Sequence, residues 1–261
     1  MLDVERRGRV AILRFDRGDG RNALSLEALR VLRDAFDAIQ NEEEPPTAVI
    51  LTGAASTFSV GFDLKDPAVS EIRQPGIRQR LRGPQLGAAA CRALAGLEAY
   101  TIVAIEGWCL GGGLAIALCG DLIVAGREAR FALPEIDRGM NLSWSALPRL
   151  ISKIGPGAAK RLAILGEKLD ADAAAKAGLV DEVVAEGGAF DRAQQLAEVA
   201  AEKPPLAVRM IKRGANAYTE AAIAGAAALD AEQFALASLS EDFTESLEAF
   251  RDKRPPRYTG K

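Results

Sequence analysis

The stretch Thr101 to Glu135, TIVAIEGWCLGGGLAIALCGDLIVAGREARFALPE, decides how this chain is put together. A β-branched run, Thr101 to Ile105, stops at Glu106-Gly107. Three glycines follow, Gly111, Gly112 and Gly113, and an apolar helical run begins at Leu114. Strand, glycine turn and helix start together aim unpaired backbone N–H groups and the positive end of a helix dipole into one space. The rest of the chain reads as what surrounds that space.

The 261 residues are 49% hydrophobic and 26% charged, enough apolar material for one large domain or a domain with a helical appendage. The net charge of −3 and the lack of a basic stripe argue against nucleic acid. The amino terminus, MLDVERRGRV, is charged where a signal peptide would be apolar, and the longest uncharged stretch, Gly107 to Gly120, is glycine-broken and shorter than the roughly 20 residues of a membrane span. Three cysteines, Cys91, Cys109 and Cys119, suit reduced thiols. A soluble cytoplasmic protein with no membrane partner is expected. There is no histidine. That removes Ser-His-Asp and Cys-His nucleophiles and histidine metal ligands, and leaves proton transfer to Glu, Asp, Lys, Tyr or Cys.

Outward from the central stretch, Val10 to Phe15 and Ala48 to Leu51 read as buried strands. Ser25 reads as the N-cap of a helix reaching about Gln40, with Leu29, Leu32, Phe36 and Ile39 on one face. Thr52 to Asp66 reads as a loop, and Glu71 to Leu97 as mostly helix, interrupted at Pro75 and Pro84. Leu122 to Ala125 and Arg130 to Ala132 are further strands. Beyond Ser143 come alanine-rich helices over Ala146–Ile151, Pro156–Leu165, Ala171–Ala177 and Phe190–Glu202, with one strand, Val180 to Val184. Helices follow from Pro205, the last over Glu241 to Arg251. The class is α/β with a helical carboxyl-terminal third.

Glycine triplets have two uses. They allow a helix start to press on a strand, or they bare backbone N–H groups for a ligand oxygen, at a cost of up to ~1 kcal/mol per residue against alanine. The triplet lacks both the dinucleotide and the Walker phosphate patterns, so a carbonyl that becomes an oxyanion fits as well as a phosphate. The loop Phe58 to Lys65, FSVGFDLK, also follows a buried strand and bends at a glycine, so it is placed to give a second N–H. It also reads as an ordinary surface loop with Asp63 as a helix cap.

FSVGFDLK, then EGWCLGGGLAIALCGD, then FALPEIDRG, in this order and spacing, resemble the enoyl-CoA hydratase/isomerase (crotonase) family. RNALS near Asn22, GEKLDADAAAKAGLVDEVV and SEDFTESLEAFRDKRPPRYTGK are similar to further family segments, so the resemblance spans nearly the whole chain. It implies a ClpP/crotonase-like spiral of strand–strand–helix repeats over residues 1–200 and a helical oligomerisation region over 201–261, in trimers or hexamers. It implies an acyl-CoA thioester as substrate, with no metal and no separate cofactor. By motif position, the backbone N–H groups of Phe62 and Gly112 hold the thioester oxygen, and Glu135 is the acid/base. Substrate and CoA contacts fall on Ala23, Val60, Phe62, Asp63, Leu64, Lys65 and Gly111. Phe250 and Lys253 reach across from a neighbouring subunit.

Two departures bear on the reaction. The family's hydratases carry a second glutamate where this chain has Ala115. They also run glycine-rich where this chain has Ser143-Trp144-Ser145-Ala146. Trp144 reads either as a wall that narrows and dries the acyl pocket or as a core aromatic at a helix start. Asp137 is a candidate substitute acid if it faces the site. One carboxylate suffices to move a double bond from the 3,4 to the 2,3 position of an enoyl-CoA, so isomerisation is expected. Water addition, or another lyase or hydrolase reaction of the family, and non-catalytic acyl-CoA binding are the alternatives.

Overall fold

The computed structural model describes residues 1–67 and 81–261. Residues 71–80 of the expected helix, including Pro75, lie outside the described residues.

Two sheets stack. The larger has the order β1-β2-β3-β5-β7-β10, with β1 Leu2–Arg7, β2 Val10–Phe15, β3 Ala48–Thr52, β5 Tyr100–Ile105, β7 Leu122–Gly126 and β10 Glu182–Val184. The smaller has the order β4-β6-β8-β9, with β4 Thr57–Ser59, β6 Trp108–Leu110, β8 Arg130–Ala132 and β9 Leu169–Asp170. Each of β3, β5 and β7 in the large sheet is followed within a few residues by β4, β6 and β8 in the small one. The chain then leaves through helix α2 (Arg82–Ala95), helix α3 (Gly112–Ala117) and a 3-10 turn (Ile136–Arg138) respectively. Three strand–strand–helix repeats thus wind into a spiral. β2, β3, β5 and β7 pair in parallel, as do β4, β6 and β8.

Burial explains the strands that are easy to read. Val49, Ile50, Ile102, Val103 and Ile123 are fully buried, as expected of parallel strands covered on both faces. Helix α1 (Leu26–Gln40) covers one side through Leu29, Leu32 and Phe36, and its N-cap is Ser25, whose hydroxyl accepts from the Ala28 N–H. Helix α6 (Ala189–Ala201) covers the other through Ala189, Ala193 and Ala197, packed on Ile50, Ile102 and Val124.

Several expectations need correction. Pro84 does not interrupt α2; it sits in the first turn, where its missing N–H has no helical partner to lose. The two helices expected over 146–165 are present, in contrast: the span labelled α4 (Ala146–Leu165) is two helical segments separated at Gly155, whose φ 77° and ψ 161° are not helical. The loop Thr52 to Asp66 contains β4, and β1, β6 and β9 were not anticipated. Strand β10 is shorter than Val180–Val184.

Helix α5 (Ala171–Lys176) follows β9. Past α6 the chain forms α7 (Pro205–Ala227), α8 (Asp230–Ala237) and α9 (Glu241–Asp252). Lys212 pins α7 to the core. Its buried ammonium bonds Asp121 at 2.7 Å and the Ala99 carbonyl at 2.8 Å. No described helix is long and apolar enough to cross a membrane.

Candidate active site

Three neighbouring strands of the small sheet, β4, β6 and β8, end at one cavity. Open α/β sheets place ligands at the carboxyl ends of parallel strands for topological reasons. After β4 come Val60, Gly61 and Phe62; after β6, Gly111 and Gly112; after β8, Pro134 and Glu135. All of them line the cavity.

The first two turns touch. A Cβ on Gly61, which has φ +90°, would lie 2.8 Å from the Leu110 carbonyl oxygen and 3.1 Å from the Gly112 nitrogen. Only glycine lets them come so close. A bridge between Leu24 and Phe62 uses the Leu24 N–H on Gly61 and the Asp63 N–H on Leu24, which skips the Phe62 N–H. The Gly111 N–H bonds the Ala132 carbonyl, and Gly112 opens the helix. Among the described residues neither the Phe62 nor the Gly112 N–H has a hydrogen-bond partner.

Glu135 presses on the glycine turn. A Cβ on Gly111 would sit 2.6 Å from its Oε1, so glycine is required there on two counts, space and the φ +50°, ψ −119° backbone. Glu135 is half-buried as a residue, but its Oε2 is shut from solvent and has no partner among the described residues. Burial pushes its carboxyl up to about 7, against weaker pulls downward from its own backbone N–H and from Arg138. The thiol nearest this strand order, Cys109 in β6, is buried and held well above the usual thiol range, so it is no rival base at neutral pH.

Ala115 lines the cavity from α3, buried, and Glu135 is the only carboxylate among the described lining residues. Asp137 does not substitute for a second acid. Its carboxylate lies against Gly166, where a Cβ would be 3.3 Å from Oδ2, and it is not in the cavity wall. The 3-10 turn rotates it away from Glu135.

Trp144 is at once a core aromatic and part of the cavity wall. Its indole fills a slot between Gly87 of α2 and Gly112, since a Cβ on either glycine would collide with the ring. It meets the Phe62 ring edge-on, with centroids 6.1 Å apart. Trp144 and Ser145 both take left-handed backbone (φ 62° and 60°), a strained pair for residues with side chains. The Ser145 N–H donates to Asp230 Oδ2 at 2.7 Å, which ties this turn to the start of α8.

The remaining predicted contacts divide. Val60 and Leu64 line the cavity. Ala23 is buried, and its carbonyl accepts from Arg17, whose guanidinium also pairs with Asp63 at 2.7 Å. The Asp63 carboxylate is therefore committed to holding two loops together rather than free for a ligand. Asn22, which the sequence left unassigned, is the keystone: at φ 53° and fully buried, its amide bonds the Phe15 and Phe58 carbonyls. Lys65 is exposed, and its ammonium has no partner among the described residues. Phe250 is 61% exposed, with one face of its ring against Arg138 of its own chain, 4.5 Å from guanidinium carbon to ring centre. Lys253 is the exposed, left-handed end of α9. Helix α9 reaches the site because Gly139 leaves room for the Phe243 backbone and because Ser246 bonds the Asp137 carbonyl at 3.1 Å. Phe234 and Phe243, which close the cavity from α8 and α9, were not anticipated.

A spiral of this kind, with a cavity at the ends of its inner strands, is the crotonase-like fold. A solved enoyl-CoA hydratase/isomerase from Pseudoalteromonas atlantica T6c superposes with a TM-score of 0.87 at 28% identity, over 99% of both chains. The sequence matches the enoyl-CoA hydratase/isomerase family over residues 5–261, and the chain belongs to that family. Curated relatives include 2,3-dehydroadipyl-CoA hydratase of Escherichia coli K12, 34% identical over 100% of this chain and 99% of the relative. The short-chain-enoyl-CoA hydratase of Clostridium acetobutylicum is 32% identical over 96% and 94%. Among the described residues no group of His, Cys, Asp or Glu is arranged to hold a metal ion.

Proposed function

We propose that this chain moves a carbon–carbon double bond in an enoyl-CoA, with the Phe62 and Gly112 N–H groups holding the thioester oxygen and Glu135 carrying the proton. The observation that carries the reading is the convergence of two unpartnered N–H groups and one buried carboxyl at three adjacent strand ends. Glu135 takes a proton from C2 of a 3-enoyl thioester. The electron pair left behind spreads into a dienolate, whose negative oxygen lies between the two donors. The protonated Glu135 returns the proton to C4, which leaves the double bond between C2 and C3. Preorganised donors of this kind are worth roughly 2.7–4 kcal/mol of barrier each. A carboxyl poised near neutrality suits a group that must both accept and release one proton. The step consumes no water, which fits Ala115 and the dry face of Trp144. It calls on no metal and no cofactor, the thioester being the substrate.

Hydration is the second reading, favoured by the names of the relatives, which are hydratases. It needs a group to position water opposite Glu135. One assay separates the readings: the ultraviolet absorbance of the conjugated thioester, followed after adding a 3-enoyl-CoA or a 2-enoyl-CoA. A rise with the first supports isomerisation; a fall with the second supports hydration. No change in either, with acyl-CoA still bound, overturns both in favour of a binding protein.

The reading also assigns residues 201–261 to assembly into trimers or pairs of trimers. Leu206, Met210, Ile211 and Tyr218 on α7 are 65%, 63%, 74% and 86% exposed, an apolar face that a second copy would cover.

A further inference from the structure

Arg138 brings a positive charge into the cavity wall that the chemistry above does not use. Only two of the described lining residues are charged, Glu135 and Arg138, and no ion pair joins them. The Nε of Arg138 is buried without a partner, and among the described residues its guanidinium takes part in no salt bridge or hydrogen bond. Its contact with Phe250 holds the cation over a ring face. A ring face attracts the charge but accepts little from N–H groups in the guanidinium plane. A buried, unsatisfied, charged donor is costly, and it persists where a ligand completes it.

Resting on the enoyl-CoA reading of the same site, we propose that Arg138 selects acyl chains that end in a carboxylate, so that the preferred substrates are mono-CoA thioesters of short dicarboxylic acids. Position supports the acyl end of the ligand. Arg138 follows Glu135 by one turn of 3-10 helix, in which side chains three apart stack on one face about 6 Å apart along the axis. Glu135 marks the reacting carbons, and Arg138, one turn on, shares the cavity wall with it. Asn141, whose amide donates to Gln233 at 2.8 Å, and Ser143 are polar members of the same lining, while Trp144, Phe234 and Phe243 supply apolar surface. A guanidinium presents paired N–H groups that match a carboxylate, and the pairing is strong where water is excluded.

The same cation would also suit a phosphate of CoA, so the test separates the two. Calorimetry with hexanoyl-CoA, adipyl-CoA and free CoA measures binding of chains with the same carbon count, with or without the terminal carboxylate, and needs no turnover. The wild-type chain should bind adipyl-CoA about 10-fold or more tightly than hexanoyl-CoA, as expected of a charge-assisted bond. Arg138→Gln should erase that preference and leave hexanoyl-CoA within about 3-fold of wild type. Equal wild-type affinity for the two thioesters overturns the proposal, and that result does not depend on any variant folding. A loss in Arg138→Gln shared by hexanoyl-CoA, adipyl-CoA and free CoA also overturns it, in favour of a phosphate contact. Failure of the enolate chemistry would appear only in the absorbance assay, so the two readings fail separately.

Discussion

Glu135 is held in a state that folding alone would avoid: a carboxyl buried beside Gly111 with one oxygen unsatisfied. Burial raises its proton affinity from the ordinary 4.5 to about 7. The charged form is the base, so kcat/KM should climb with pH to a plateau above about 7, and a flat profile from about 5 to 8 would remove Glu135 as the base. The same shift has a stability consequence of opposite sense. A folded-state value raised above the unfolded one favours the native state fully at low pH, and the advantage is lost as pH rises from 4.5 through about 7. Glu135→Gln cannot ionise, so at about pH 8 it should be more stable than wild type by up to ~3 kcal/mol, with the gap closing below about pH 4.5. Urea unfolding at two pH values measures this. Asn22 is the opposite case, a buried polar group with every role filled. Asn22→Ala leaves the Phe15 and Phe58 carbonyls without their donor and should cost about 2–3 kcal/mol in the same unfolding experiment.

At the scale of elements, the strands with continuous apolar runs and the capped helix α1 were legible in the sequence because burial on two faces and 3.6-residue periodicity leave strong patterns. The short strands β4, β6 and β9 were not, since two or three residues carry no periodicity, and β1 is an exposed edge strand whose charged residues have no core to face. Yet β4 and β6 lead into the two unpartnered N–H groups, those of Phe62 and Gly112. Phe62 and Gly112 were proposed as donors from glycine spacing and the family resemblance, and Glu135 as the acid/base from the frame FALPEIDRG; the fold brings all three to one cavity. Arg138 and the commitment of Asp63 to Arg17 were not anticipated, because both depend on which loops meet. The slot around Trp144 has the same origin: Gly87 and Gly112 lie on separate elements and only the folded chain brings them to one ring. Gly87→Ala should therefore destabilise by about 1–3 kcal/mol, and most of that cost should vanish in a Trp144→Ala background. A thermal-unfolding double-mutant cycle gives the coupling. Additive costs would mean that the ring and the helix do not meet as described.

Across the whole molecule, the carboxyl-terminal helices serve the site from outside the spiral. Lys212 anchors α7 through Asp121, Asp230 fixes the Trp144–Ser145 turn, and α9 places Phe243 over the cavity. Lys212→Met leaves Asp121 without its buried cation, and breaking such a pair costs about 3–5 kcal/mol. It should also loosen the apolar face of α7, so, on the proposed assembly, sedimentation should show a smaller species alongside the lost stability. The proposed chemistry requires that one acid, beside two backbone donors, move hydrogen at the carbon next to a thioester. Loss of deuterium from C2 of a 3-enoyl-CoA labelled there, whether carried to C4 or shed to solvent, followed by deuterium NMR, reads that step directly. Wild type should remove the label about 10³-fold faster than Glu135→Gln. Equal loss in the two proteins would contradict it.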